Sequence, residues 1–438
     1  MKKSAVILLT VFLLFSAAAC GKVPASTPSV STSVPIYSSY ESSSSKVSSS
    51  SNISSGSSST TTNTEDTSSE ENTYVPPTPK PLDHSAHYCY AFLNDIQKQY
   101  YNSMHTAVEN MHNSWVVLGP LTDTYASDVS IVRQALVADH PDIFWLPPYH
   151  VTAAGADSEG NPAALIMFSS SADVSPAYVM TRAEKDYMEQ ELTTAVAVII
   201  SQVTSSDPFE IELQLHDMLC RKVTYSADPN DPLIYTAYGA LVNGSALCEG
   251  YSRAMQLLLS QFGIQATTVS GVADGVGHMW NAVNIGGSWH HLDATWNDTS
   301  TGFISHEYFN LTDEEILLDH TFSKSFTELT SAEITSGTVA FNTFRPTCTS
   351  AGFNYFAKKG FIFTGENTAE LAAYIAATPD EVTEIKFLDQ AVKAQFTANS
   401  ETVLQQLCDL LNINHNANYY IGRYSVSATA LKLYKVAY

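Results

Sequence analysis

Gly286-Gly287 sits between two runs that alternate apolar and polar residues, and it constrains the fold more than any other pair. A two-residue Gly-Gly loop predicts a hairpin, because its favoured turns need positive φ at the central positions. His278–Ile285 and Ser288–Thr295 then become antiparallel strands. In that register Ile285 faces Ser288, Trp280 faces Asp293, and His278 faces Thr295. Residues two apart and residues directly opposed share a face, so His278, Trp280, Asp293 and Thr295 project to one side. His278 and Asp293 become diagonal neighbours. A slip of one residue would separate them.

Upstream, Cys248-Glu249-Gly250-Tyr251 opens an amphipathic helix, Tyr251 to Phe262, which Gly263 stops. Cys248 therefore lies at or near a helix N-terminus. Unpaired N–H groups and the helix dipole there favour thiolate over thiol, and the Cys248 N–H can serve as an oxyanion donor. Glu249 opposes this slightly. A thiol, a histidine to ionise it and an aspartate to orient the histidine form the set that nucleophilic catalysis needs.

Other residues nearby read more plainly. His291 shares the Asp293 face and His290 points away, with no familiar ligand spacing, so neither a metal nor another cofactor is expected. Trp280 is a candidate wall for a substrate groove, whereas Trp289 and Trp296 read as core. His306 and His320 read as structural.

Cys248-Glu249-Gly250-Tyr251-Ser252, Gly277-His278-Met279-Trp280-Asn281, Trp289 to Asp293 and Thr295-Trp296-Asn297-Asp298 together resemble the transglutaminase-like superfamily, as does Tyr238-Gly239-Ala240-Leu241. The resemblance is specific over about residues 205 to 312. It implies an α+β fold with a papain-like core, a helix carrying the cysteine packed on an antiparallel sheet. It implies Cys248 as nucleophile, His278 as general base and acid, and Asp293 as the orienting carboxylate. A second oxyanion donor is expected upstream, with Asn243, Tyr238 and Tyr235 as candidates. The superfamily contains cross-linking enzymes, proteases, amidases and inactive members, so the resemblance leaves the acyl acceptor open.

The N-terminus reads as an export signal, residues 1–19. Lys2 and Lys3 precede an apolar run, Ala5 to Phe15, too short to span a bilayer comfortably. Small residues Ser16 to Ala19 then precede Cys20, an arrangement that resembles a bacterial lipobox with Cys20 as the lipidated residue. Residues 20–83 form a Ser/Thr/Pro-rich tether with too little apolar content to fold. A coil of this length spans roughly 40 Å. The expected location is extracytoplasmic, anchored to the bacterial cell membrane through lipid on Cys20. With 21 Lys and Arg against 44 Asp and Glu, the net charge is −23 and no basic cluster is visible, so nucleic acid is not an expected partner.

Residues 84–204 read as a mostly helical region, with helix-like runs at Tyr88 to Trp115, Ser127 to Val137 and Thr181 to Val203. Strand-like pieces at Trp145 to Ala153 and Ala163 to Phe168 flank a hairpin loop. Asp139, His140 and Asp142 read as a helix end turning into a strand. Residues 205–345 form the catalytic core. Its first helix starts with Asp207 as N-cap, Pro208 at the first position and Glu210 completing a capping box. Residues 350–438 form a small α+β domain. It has strands at Tyr355 to Phe363 and Val382 to Leu388, helices at Thr368 to Ala377 and Glu401 to Leu411, and one or two strands within Tyr419 to Val436. Packing or binding is its expected role. Cys89, Cys220, Cys348 and Cys408 are spare cysteines for which no bridge is predicted.

The sequence thus predicts a surface-anchored thiol acyl-transfer enzyme acting on amide bonds, by hydrolysis rather than cross-linking. The expected substrates are surface proteins or peptidoglycan peptides. The alternative is a non-catalytic surface binding or scaffolding module that keeps the same fold.

Overall fold

The computed structural model describes residues 8–9, 87–169, 178, 180–226, 228, 231–299, 302–325, 328–329, 342, 344–415 and 417–437. Cys20 and the tether lie outside the described residues. No described helix is long and apolar enough to cross a membrane.

The N-terminal region is a three-helix and sheet layer. Asn94 and Gln97 form a reciprocal capping box that starts α1 (Asp95–Glu109). β2 (Val116–Pro120), α2 (Tyr125–Asp139), β3 (Tyr149–Ala156) and β4 (Pro162–Ser169) follow, then α3 (Arg182–Ile200). The sheet is antiparallel, and a two-residue strand β1 (Leu8–Leu9) pairs with Thr152 and Ala153 at its edge. Asp139 accepts hydrogen bonds from the Cys89 and Tyr90 amides, each at 2.8 Å. It thus ties the end of α2 to the start of the fold.

The core begins with α4 (Pro208–Lys222), capped by Asp207. The expected capping box does not close. Asp207 donates its amide to Ser205 Oγ at 3.1 Å, and Glu210 pairs with Lys359 at 2.6 Å. A short parallel ladder, β5 (Thr224–Tyr225) with β6 (Ser245–Ala246), joins the end of α4 to the start of α5 (Cys248–Ser260). The sheet that follows is antiparallel throughout, in the order β10-β9-β8-β7-β11. Its members are β7 (Ala266–Ala273), β8 (Val276–Ile285), β9 (Ser288–Leu292), β10 (Phe309–Leu311) and β11 (His320–Phe322). α6 (Ala294–Asn297) and α7 (Asp313–Ile316) are single turns between strands.

The C-terminal unit comprises α8 (Tyr355–Lys358), β12 (Ile362–Phe363), α9 (Thr368–Ala377), β13 (Val382–Phe387), α10 (Gln390–His415), β14 (Tyr419–Val426) and β15 (Ala430–Ala437). The expected strand at Tyr355 starts as a helical turn instead, because Asn354 caps it by accepting the Phe356 amide. The expected helix at Glu401 is the second half of α10, which kinks at Asn399.

Among the described residues, three apolar clusters form the interior. The largest runs without a break from Cys89 to Phe309, so the N-terminal helices and α5 share one interior. A second belongs to the C-terminal unit. The third surrounds Trp280. On β8, Val283 and Ile285 enter the first cluster and Trp280 and Ala282 the third, as period-two alternation requires. Polar contacts dock the C-terminal unit. Glu384 accepts from Ser305 Oγ and from the His306 amide, and Glu307 accepts from the Thr429 amide.

Candidate active site

The hairpin has the register that two glycines demand. Gly286 and Gly287 have φ of 61° and 84°, and Ile285 pairs with Ser288. Pairing continues to Asn281 opposite Leu292 and then stops. Asp293 leaves the strand as the N-cap of α6, its Oδ1 accepting the amides of Thr295 (3.0 Å) and Trp296 (3.1 Å). Thr295 is therefore helical and does not face His278, a correction to the extended-strand expectation. The aspartate cap claims its amide.

His278 and Asp293 still meet. His278 donates from Nε2 to Asp293 Oδ2 at 2.7 Å. The same oxygen receives His320 Nε2 at 3.3 Å. Asp293 is fully buried, which by itself raises a carboxyl pKa. The adjacent His278 and His320 outweigh this and hold it well below the usual carboxylate range. With Nε2 committed as a donor, His278 keeps Nδ1 as the lone-pair nitrogen that a base needs.

Cys248 is the first residue of α5, with Leu247 as N-cap. The helix starts earlier than the apolar periodicity predicts, because β6 delivers the chain directly into its first turn. The first backbone bond of the helix runs from the Tyr251 amide to the Leu247 carbonyl. The Cys248 N–H precedes this bond, as at any helix start. Glu249 is neutralised in place, with Arg253 donating to it from Nε (3.0 Å) and from a terminal nitrogen (2.7 Å). The neighbouring negative charge is thereby offset. Gly250 is required by packing, since a Cβ there would lie 2.5 Å from the Ile234 carbonyl oxygen and 2.7 Å from the Ala246 Cβ.

A second strand property brings the helix to the histidine. Ser270, opposite Met279, spends its N–H and its C=O on Asn342. Met279 therefore turns its own carbonyl to the other edge of β8, beyond the end of β9. Ser252 takes it there at 3.1 Å, and the same hydroxyl lies 2.8 Å from the Cys248 carbonyl. Asn281 adds a bond from Nδ2 to the Ser252 carbonyl at 3.0 Å. The first turn of the cysteine helix is thus tied to the residue next to His278.

Trp280 does not wall an open groove. It is 1% exposed, lies 6.0 Å from the His278 ring at 22°, and donates from Nε1 to His291 Nδ1 at 3.0 Å. It supports the imidazole from beneath. Among the oxyanion candidates, Tyr238 is spent on Glu191 at 2.6 Å. Tyr235 closes the turn that packs on the start of α5 (Leu247 donates to the Ile234 carbonyl), and Asn243 is exposed.

His320 was hidden from sequence reasoning, because β11 joins the sheet only through pairing with distant β7. Among the described residues, three clusters gather three histidine, carboxylate or thiol groups: His216 with Asp217 and His306, His278 with Asp293 and His320, and His291 with Asp313 and Cys348. His216, His291 and His320 each have both ring nitrogens engaged by protein groups, so hydrogen bonding accounts for these arrangements. Cys89, Cys220, Cys348 and Cys408 are free thiols, and burial pushes the Cys348 thiol up to about 12.

The family model of the transglutaminase-like superfamily matches residues 198–294, which contain Cys248, His278 and Asp293. Kyphoscoliosis peptidase of Mus musculus is 27% identical over 126 residues, covering 24% of this chain and 19% of that protein, and the Homo sapiens protein gives the same figures. The chain thus spans about a fifth of the length of these curated relatives. A solved structure described as a TGase is 20% identical, covers 28% of this chain and 35% of its own, and has a TM-score of 0.23. Over residues 198–294, this chain is thus similar to the transglutaminase-like superfamily.

Proposed function

We propose that the reduced chain is a thiol acyl-transfer enzyme acting on amide bonds, with Cys248 as nucleophile, His278 as base and acid, and Asp293 as the orienting carboxylate. The observation that carries this reading is the His278–Asp293 bond at 2.7 Å, on a strand tied through Ser252 to the helix that Cys248 starts. His278 Nδ1 takes the thiol proton. The thiolate attacks the amide carbonyl, forming a C–S bond, and the oxyanion is met by the Cys248 N–H. The imidazolium gives its proton to the departing amine as the C–N bond breaks, leaving a thioester. Water, deprotonated by His278, then attacks the thioester. The C–S bond breaks, the acid leaves, and the thiol is restored.

Water rather than an amine is the favoured acceptor, a preference supported by the curated relatives being named peptidases. Surface proteins or peptidoglycan peptides are the proposed substrates. Lipid on Cys20 would anchor the enzyme outside the cytoplasm, with residues 20–83 as its tether.

The test is labelling of reduced protein by a thiol-directed acyl probe, alongside product masses from surface protein extracts with and without an amine donor. Labelling lost in Cys248→Ala and cleavage without amine incorporation are expected. Labelling that persists fully in Cys248→Ala would sink the reading. The alternative, a surface binding module that retains the fold, is favoured by one observation: Cys248 is only 1% exposed. Absence of any Cys248 acylation would select it.

A further inference from the structure

His278 is not the only imidazole on Asp293. His320 approaches the same Oδ2 at 3.3 Å through Nε2, and its Nδ1 lies 2.6 Å from Asp319 Oδ1. Asp319 is fixed in turn by the Tyr308 hydroxyl, which donates to its Oδ2 at 2.7 Å. Both partners of His320 are carboxylates, and an ionised carboxylate only accepts. Both ring nitrogens must therefore carry protons. A buried imidazolium is costly unless paired, and here it is paired on both sides.

We propose that His320 is a positioning residue for the thiol–imidazole pair: a standing imidazolium between Asp293 and Asp319 that shares the Asp293 charge with His278 and so sets the pH range over which Cys248 is a thiolate. This rests on the reading of Cys248 as the nucleophile. Burial alone would lower the His320 pKa, but Asp293 and Asp319 outweigh it and raise it to about 9.

The surroundings leave few other charges to do this. His320 is packed by the rings of Trp296 (4.6 Å), Trp280 (5.1 Å), Tyr308 (5.5 Å) and His278 (5.6 Å). His291 lies within electrostatic reach and is held towards the neutral form by burial. On the α5 side, Glu249 is offset by Arg253. Without His320, the full Asp293 charge would fall on His278, and the field at the thiol would lose a cation. Both changes make the thiol harder to ionise in the acid range and keep the imidazolium to higher pH. Mere loosening of Asp293 would act in the opposite direction, since it withdraws negative charge from the pair.

The experiment is the pH dependence of iodoacetamide alkylation of Cys248, read by mass spectrometry on the reduced full chain. In wild type the inflection should lie well below that of an ordinary thiol. In His320→Gln it should move alkaline by about one pH unit, making alkylation roughly tenfold slower on the acid limb. His320→Lys keeps a cation against Asp293 and should leave the inflection near that of wild type, and it decides the matter if His320→Gln does not fold. An unmoved inflection or an acid shift in His320→Gln, or an alkaline shift of about one pH unit in His320→Lys, overturns the role of His320. An ordinary thiol inflection in wild type would instead overturn the nucleophile reading itself.

Discussion

Ser252 on the cysteine helix holds the Met279 carbonyl on the histidine strand at 3.1 Å, while remaining 2.8 Å from the Cys248 carbonyl. One hydroxyl proton thus spans the two elements between which the proposed proton transfer would run. Ser252→Ala is expected to cost about 1–2 kcal/mol, because the Met279 carbonyl loses its buried donor. It should slow Cys248 acylation more than it lowers stability. Thermal unfolding alongside acyl-probe kinetics checks both. Unchanged kinetics in a destabilised variant would show that the tie does not position the thiol.

Gly250 cannot carry a side chain without moving backbone, since the nearest obstruction is the Ile234 carbonyl oxygen at 2.5 Å. Gly250→Ala should destabilise the protein by about 2 kcal/mol or more and shift the start of α5. A denaturant midpoint equal to wild type would contradict this account of the motif.

Asp293 and His320 give stability a defined pH window. Asp293 is depressed from 3.8, so its contribution is present above about pH 4 and is lost on acidification. His320 is raised from 6.5 to about 9, so its contribution is complete below 6.5 and fades as pH rises through about 9. The two shifts describe largely one interaction and are not to be added. In His320→Gln the loss of stability across the alkaline part of this window should flatten, as measured by urea unfolding at a series of pH values. A wild-type slope there would argue against a charged His320.

Glu212 gives a prediction that involves no catalytic group. It is fully buried in α4, accepts from Asn310 Nδ2 at 2.7 Å through Oε2, and burial raises its pKa to about 8. Its Oε1 and the Asn310 Oδ1 both lack a hydrogen-bond partner, and a proton on Glu212 supplies one donor for the pair. A raised carboxyl stabilises the fold below the unfolded value of 4.5 and loses that contribution as pH rises through about 8. Glu212→Gln carries its own donor, so it should raise Tm at pH 8 and gain little at pH 4. A larger gain at pH 4 than at pH 8 would refute this.

The hairpin, its register and the pairing of His278 with Asp293 were legible because two glycines and period-two alternation are local signals. The start of α5 was partly legible: apolar periodicity begins only after Cys248, whereas the helix is set by β6, a tertiary contact. Thr295 was misplaced because strand propensity competed with an aspartate cap, and the cap won. His320 was invisible for another reason. Its place beside Asp293 depends on β11 pairing with β7, a contact between segments far apart in sequence, with no periodic signature in three residues. Trp280 had the predicted facing, but facing says nothing of what lies above a side chain, and β11 with its neighbours covers it.

β9 ends at Leu292, opposite Asn281. Extended by the same register, Ala294 would have stood opposite Met279, and ladder bonds would have claimed the carbonyl that Ser252 now holds. α5 would have had no seat against the sheet, and Asp293 would have been one more strand residue instead of a cap with a carboxylate to share. The site proposed here occupies unfinished sheet: truncating one strand supplies both the berth for the Cys248 helix and the turn that aims the Asp293 carboxylate.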